Sequence, residues 1–278
     1  AGLTETFILP KNRSFNSPGL IRQTFVGLTI GPIWNLCSAC VVPIANSFHR
    51  RGSGTASAIA MIQGSSTLNM PALLMALTIF TPLLGLSRII LSFLGALIIS
   101  PLVAVAAGEK WRSDESIEPN MVSIDEDSSI SVMETLRHGL VDWVKASFGY
   151  LLRLGPIMLV AGLASGLFLQ WITTDSVSMF LGNNFMGIIV AATLGILINV
   201  PLLFEIPLVA LLIIMGMGTA PAATLLYVAA AGGPITFWGL SKVMPKKAIA
   251  TFAISTWATG VIGGLVVKFI SLALEGSF

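Results

Sequence analysis

The chain alternates between long apolar stretches and short breaks rich in proline, glycine or polar residues. We place the apolar segments near residues 20–47, 54–80, 84–107, 150–172, 185–213, 219–240 and 248–273. An α-helix rises about 1.5 Å per residue, so about twenty apolar residues cross a hydrocarbon core of about 30 Å. The pattern therefore predicts an all-α polytopic membrane protein.

Several of these segments are interrupted by proline or glycine. The prolines that we interpret as structural breaks are Pro43, Pro71, Pro207 and Pro234. Each break frees backbone N–H and C=O groups, which are tolerated at membrane depth only where protein, water or a ligand satisfies them. We therefore expect broken transmembrane helices, with the binding site close to the breaks.

Residues 29–58 and 193–222 resemble one another at a constant offset of 164 residues. The identical residues of the first stretch are Thr29, Gly31, Asn35, Pro43, Gly52, Gly54, Thr55, Ala56 and Ala58. Paired, interrupted hydrophobic segments are the sequence sign of a transporter that binds its substrate near the membrane midplane. This predicts two pseudo-symmetric repeats. The repeats are parallel if the segments 54–80 and 219–240 cross the membrane, and they are inverted if these segments are re-entrant. We favour the inverted arrangement.

The repeats define three parts of the chain. Residues 1–108 form the first membrane repeat, 109–135 an acidic extramembrane linker, and 136–278 the second membrane repeat, which opens with an amphipathic helix. The second repeat is preceded by the apolar segment 150–172, which has no counterpart before Gly19. We therefore expect an upstream helix that this sequence lacks.

The composition agrees with a chain that lies in lipid. Charged residues make up 10% and hydrophobic residues 55%, whereas an ordinary soluble domain is about one quarter charged. A net charge of +2, spread over several loops, gives no basic surface for nucleic acid. Two cysteines and two histidines give neither a disulfide framework nor a closed zinc site, so we expect no metal and no cofactor.

Glu205 is the sharpest candidate for a functional residue. No other Asp, Glu, Lys, Arg or His occurs between Gly182 and Ser241. Ionisable residues inside a membrane usually face a cavity and mark an ion or proton path, so we propose Glu205 as a proton carrier. The alternative is that the carboxylate complements the dipole of the half-helix that follows Pro201.

The other candidates for substrate or ion binding lie at the breaks, and each has a structural alternative. Cys37 and Cys40 could hold a soft ion or pack as small residues. The repeat-related amides of Asn35 and Asn199 could bind a ligand or satisfy carbonyls freed by the breaks. The polar break of the first half, which includes Ser66 and Asn69, could bind an anionic group or serve helix packing.

The first repeat resembles the ArsP/YraQ-like predicted permease family. Cys37, Ser38 and Pro43 lie at the spacing of that family's Cys-Ser-Cys-Gly-x-x-Pro signature, although Ala39 and Cys40 replace its second cysteine and its glycine. A basic pair, a glycine and the Asn69-Met70-Pro71 break follow, and the second repeat resembles the family's second half. The resemblance implies a polytopic permease, and in some branches the export of trivalent organoarsenicals.

We therefore predict a non-enzymatic permease of the cell (inner) membrane that moves a small molecule or ion by alternating access, with possible proton coupling at Glu205. The alternatives are an intramembrane lipid-modifying enzyme, a passive channel or a structural membrane subunit. No P-loop, H-E-x-x-H or G-x-S-x-G motif occurs in the sequence. The expected partners are the lipid bilayer and the small substrate, with a homo-oligomer left open.

Overall fold

The computed structural model describes residues 19–50, 52–108, 163, 174–198 and 202–275, and every regular element in these ranges is helical. The helices of the first part are α1 (Leu20–Trp34), α2 (Ser38–Arg50), α3 (Thr55–Thr67), α4 (Met70–Ile79) and α5 (Pro82–Ala107). Those of the second part are α6 (Thr174–Phe180), α7 (Phe185–Leu197), α8 (Glu205–Ile214), α9 (Thr219–Ala231), α10 (Pro234–Ser241) and α11 (Lys246–Glu275). Several predicted parts lie outside the described residues: the linker 109–135, the amphipathic helix after it, the segment 150–172 apart from residue 163, and Asn199.

The predicted apolar segments correspond to helices or to pairs of helices. The segments 20–47, 54–80, 185–213 and 219–240 are each split in two, whereas 84–107 and 248–273 are the uninterrupted helices α5 and α11. An all-helical protein with broken apolar segments is therefore confirmed for the described ranges.

The prolines do not all lie where the helices break. Pro71 and Pro234 lie in the first turns of α4 and α10. The N–H groups of a first turn have no partner within the helix, so a proline there costs no hydrogen bond. Pro207 is the third residue of α8, and Pro43 lies inside α2. The first break instead spans residues 35–37, ahead of Pro43, because Asn35 ends α1 in a left-handed conformation with φ 48° and ψ 49°.

Helices α1 and α3 pack closely through two small residues. A Cβ atom on Gly27 would overlap the carbonyl oxygen of Ser57, and one on Gly31 would lie 2.7 Å from the carbonyl oxygen of Met61. These glycines are four residues apart and so share one face of α1, as in the small-residue motifs of membrane helix pairs. The close approach of the two helices brings the end of α1 beside the end of α3.

Three described helical stretches are long and apolar enough to cross a membrane, judged by length and composition: Pro82–Ala107, Thr219–Ser241 and Lys246–Leu274. The second of them consists of α9 and α10. A fourth results if Thr174–Phe180 and Phe185–Leu197, which meet at 107°, count as one span. Helices α5 and α11 pack against each other and carry many of the exposed large apolar side chains. These surfaces suit contact with lipid chains.

Contacts between the two parts of the chain position the functional groups. Besides the pairing of α5 with α11, α2 packs against α10, α8 packs against α4, and α9 packs against both α3 and α5. The central helices α3 and α9 are almost entirely buried. Polar side chains on these helices and on the facing side of α5 are therefore enclosed by protein.

Candidate functional site

The central feature is a buried ion pair between Arg88 on α5 and Glu205 at the start of α8. Arg88 Nη2 donates to Glu205 Oε1 at 2.6 Å, and the two side chains are 0% and 2% exposed. Arg88 Nη1 also donates to the carbonyl oxygen of Leu226 on α9, at 3.2 Å. One guanidinium thus joins three helices that come from the two parts of the chain.

The local backbone places the Glu205 carboxylate at this point. Glu205 is the first residue of α8, where a carboxylate complements the positive end of the helix dipole. The preceding turn contains Leu203 with φ 72°, a conformation that costs a residue with a side chain of order 1–3 kcal/mol. The position in the first turn of α8 fits the alternative in which the carboxylate complements the helix dipole, whereas the role of a proton carrier stays a prediction.

The pairing explains how two charges are accommodated among apolar helices. A single charge at the centre of a membrane helix costs roughly 2.5–3.5 kcal/mol on insertion scales. Arg88 and Glu205 compensate each other, and the Leu226 carbonyl satisfies a further guanidinium N–H. Removing only one partner would leave the other charge buried without compensation.

Further buried polar atoms on α5 and α9 have no hydrogen-bond partner among the residues that the structure describes. They include Arg88 Nε, Ser92 Oγ and Tyr227 Oη. Ser92 lies one helical turn beyond Arg88 on α5, and a Cβ atom on Gly95, in the next turn, would overlap Tyr227 Oη. Buried polar groups normally have partners, so these atoms mark a polar face between α5 and α9.

The break between α1 and α2 forms a second polar region. The backbone N–H of Leu36 donates to Ser65 Oγ at 3.0 Å, and the same hydroxyl donates to the carbonyl oxygen of Leu36 at 3.1 Å. The hydroxyls of Ser38 and Thr236 lie 2.9 Å apart and connect α2 with α10. Ser65 on α3 therefore satisfies part of the broken backbone, while the predicted site residue Asn35 is exposed beside it.

Cys37 and Cys40, also predicted as site residues, are joined in a disulfide with their Cα atoms 5.2 Å apart. Cys37 directly precedes α2 and Cys40 is the third residue of that helix, so the two side chains converge on one turn. The sequence predicts two thiols that hold a soft ion or pack as small residues, whereas the structure joins the two sulfurs in a disulfide.

Ser66 and Asn69 make short-range hydrogen bonds at the break between α3 and α4. The Asn69 side chain accepts from the N–H of Ala72 at 2.9 Å and donates to the carbonyl oxygen of Ser66 at 2.7 Å, which makes it the N-cap of α4. The Ser66 hydroxyl donates to the carbonyl oxygen of Ile62 at 3.1 Å. Both side chains are buried at this break.

Sequence reasoning missed Arg88, Ser92 and Tyr227 as members of the site. Arg88 lies inside α5 and is fully buried. The available signal was its position: Arg88 is the only charged residue between Pro82 and Gly108, and a lone charge inside an apolar segment calls for an opposite charge. Glu205 is the matching lone carboxylate between Gly182 and Ser241.

Comparison with known proteins agrees with this architecture. Residues 15–269 match the ArsP_1 family, described as predicted permease. The UPF0718 protein YraQ of Escherichia coli (strain K12) is 26% identical over 267 residues, which cover 94% of this chain and 73% of that protein. No solved structure matches the chain. The chain therefore belongs to the ArsP_1 family of predicted permeases, which supports a membrane transporter, and it is an integral multi-pass membrane protein.

Proposed function

We propose that the protein is a secondary permease of the cell's inner membrane that moves a small solute by alternating access, with proton coupling at the Arg88–Glu205 ion pair. The observation that carries this proposal is the ion pair itself, a completely buried contact between the first and second parts of the chain. Paired ionisable groups inside membrane helices mark ion and proton paths.

The helix bounds support two related halves. Helix α3 runs from Thr55 to Thr67 and α9 from Thr219 to Ala231, so that both ends differ by the 164-residue offset of the sequence repeat. In the sequence repeat, α2 corresponds to α8 and α4 corresponds to α10. The contact of α2 with α10 is therefore the counterpart of the contact of α8 with α4. We infer that the halves at 1–108 and 136–278 are pseudo-symmetric and enclose the site between them.

The polar residues of the central helices fit the same arrangement. Gln63 on α3 and Tyr227 on α9 are related by the repeat offset. Both are buried, and within the described ranges their side-chain polar atoms have no hydrogen-bond partner. A site at the repeat interface near the membrane midplane is the usual location in transporters of this build. Asn35, Asn199, Ser66 and Asn69, at or near the breaks, remain proposed contributors at its margins.

Proton coupling follows from the charge balance of the pair. A proton on Glu205 removes its negative charge and weakens its attraction to Arg88, which lowers the free energy needed to separate α8 from α5. In this structure the pair is closed to solvent, since both side chains are almost fully buried. Movement of one half against the other would expose it to one side of the membrane at a time.

The test is solute-dependent proton movement in reconstituted vesicles that contain a trapped pH-sensitive dye. Candidate small solutes are imposed singly as gradients, with and without a pH gradient. We expect Glu205→Gln to lose the solute-dependent proton movement of the wild type, because the amide carries no titratable proton. Asp175→Asn, which alters an exposed carboxylate in the first turn of α6, is the matched control and should leave transport unchanged.

Proton movement in Glu205→Gln equal to that of the wild type would contradict the proposed coupling. A steady ion conductance that needs no solute and persists in this variant would instead indicate a channel.

A further inference from the structure

The disulfide between Cys37 and Cys40 lies at the break between α1 and α2. The cysteines have two residues between them, and the bond sits at the N-terminus of α2, the first turn of which includes Cys40. Cys-x-x-Cys pairs at helix N-termini are a common setting for reactive cysteines, because the free N–H groups stabilise a thiolate. In the oxidised form neither sulfur is a thiolate, so neither can serve as a ligand for a soft ion.

We propose that Cys37 and Cys40 form a redox-active site, in which the disulfide is reduced by an external dithiol and is formed again by a disulfide oxidant. This proposal does not depend on the transported solute or on the proton coupling proposed above. It assigns thiol–disulfide exchange to residues that a transport cycle alone would not require to react.

Access favours attack at Cys40. Cys40 is only partly buried, whereas Cys37 is 8% exposed. The thiolate of the dithiol attacks Cys40 Sγ, the bond between the two protein sulfurs breaks, and Cys37 Sγ leaves with the electron pair.

The structure provides a donor for the leaving sulfur. The backbone N–H of Cys40 donates to Cys37 Sγ over 3.2 Å. Such a hydrogen bond, together with the positive end of the α2 dipole, stabilises negative charge on Cys37 as it leaves. Exchange is faster when the leaving sulfur is more stable as a thiolate.

The second step returns the protein to the dithiol form. In the mixed disulfide, one sulfur of the reductant is bonded to Cys40 Sγ. The second thiolate of the reductant attacks that reductant sulfur and releases Cys40 as a thiolate. Overall the protein disulfide gains two electrons and two protons, and the external dithiol becomes a disulfide after losing the same two electrons and protons. The reverse reaction with a disulfide oxidant closes the ring again.

The surroundings of the break allow this bond to open without loss of the fold. Leu36 is held to Ser65 by two hydrogen bonds, and Ser38 is held to Thr236 by a third. These contacts fix both sides of the cysteine pair independently of the disulfide. Reduction should therefore change the chemistry of the break while α1, α2 and α3 stay packed.

The experiment uses the full chain in detergent, equilibrated with mixtures of reduced and oxidised dithiothreitol. Samples are acid-quenched and labelled with a polyethylene glycol maleimide that shifts the band on a gel. We expect each chain to carry either no label or two labels. The ratio of reduced to oxidised dithiothreitol at which half of the chains are labelled should be the same whether the protein starts oxidised or reduced. A pair that becomes reducible only in denaturant, or that stays reduced in the most oxidising mixture, would overturn the proposal.

A second measurement tests the order of attack in the wild-type chain. Brief exposure to the monothiol 2-mercaptoethanol, acid quenching and peptide mass spectrometry locate the mixed disulfide. We expect at least about tenfold more adduct on Cys40 than on Cys37, because the rate of exchange depends on access to the attacked sulfur. Equal adducts, or more adduct on Cys37, would overturn the assigned order.

Discussion

Replacing Arg88 by methionine is expected to lower the free energy of unfolding by about 3–5 kcal/mol, the usual effect of removing one partner of a buried ion pair. Methionine fills a similar volume but leaves the Glu205 carboxylate buried without its partner at 2.6 Å. The carbonyl of Leu226 also loses its guanidinium donor. The measurement is a denaturant titration of the purified protein in detergent, followed by helix content.

Arg22→Met is the matched control for that titration. Arg22 is exposed near the start of α1, so the same change of side chain should alter stability by no more than about 0.5 kcal/mol. A similar small change for Arg88→Met would show that the ion pair does not stabilise the fold.

The double variant Arg88→Met/Glu205→Leu should recover most of the stability lost by Arg88→Met and yet show no solute-dependent proton movement. Replacing a buried ion pair by apolar residues of similar size is often neutral or stabilising, because both desolvation costs disappear together. Transport should nevertheless be lost, because neither a titratable carboxylate nor the guanidinium remains at the site. The two readouts are the denaturant titration and the vesicle assay with the trapped dye.

This variant separates a structural role of the pair from a functional one. Recovery of both stability and proton movement would assign the pair to packing alone. Failure to recover stability would mean that the contact with the Leu226 carbonyl, rather than the charge pairing, dominates the energetics.

Much of the fold can be predicted from the sequence. Apolar length and hydrophobic content predict the segments, and the 164-residue repeat predicts equivalent helices such as Thr55–Thr67 and Thr219–Ala231. The site is less predictable, because a sequence shows which residues are charged but not which ones meet. Arg88 and Glu205 are 117 positions apart, and they meet because α9 packs against both α5 and α8.

The exact positions of the breaks also depend on tertiary contacts. Prolines alone suggest Pro43 as a break, but Pro43 is accommodated inside α2. The observed break at residues 35–37 is set by the left-handed Asn35 and by hydrogen bonds from Ser65 on a different helix. The oxidation state of Cys37 and Cys40 is likewise not encoded by their spacing alone, because the same spacing is compatible with two thiols.

The most direct test of alternating access around the ion pair is labelling of a single cysteine from either side of the membrane. Ser92→Cys, in a background with Cys37→Ser and Cys40→Ser, places a thiol one helical turn from Arg88 at a buried position. Leu94→Cys, on the exposed face of the same helix, is the control and should resist a water-borne reagent because it faces lipid. With a membrane-impermeant maleimide, alternating access predicts labelling of Ser92→Cys both from outside and from inside the vesicles. Labelling from one side only, or from neither, would contradict alternating access at this site.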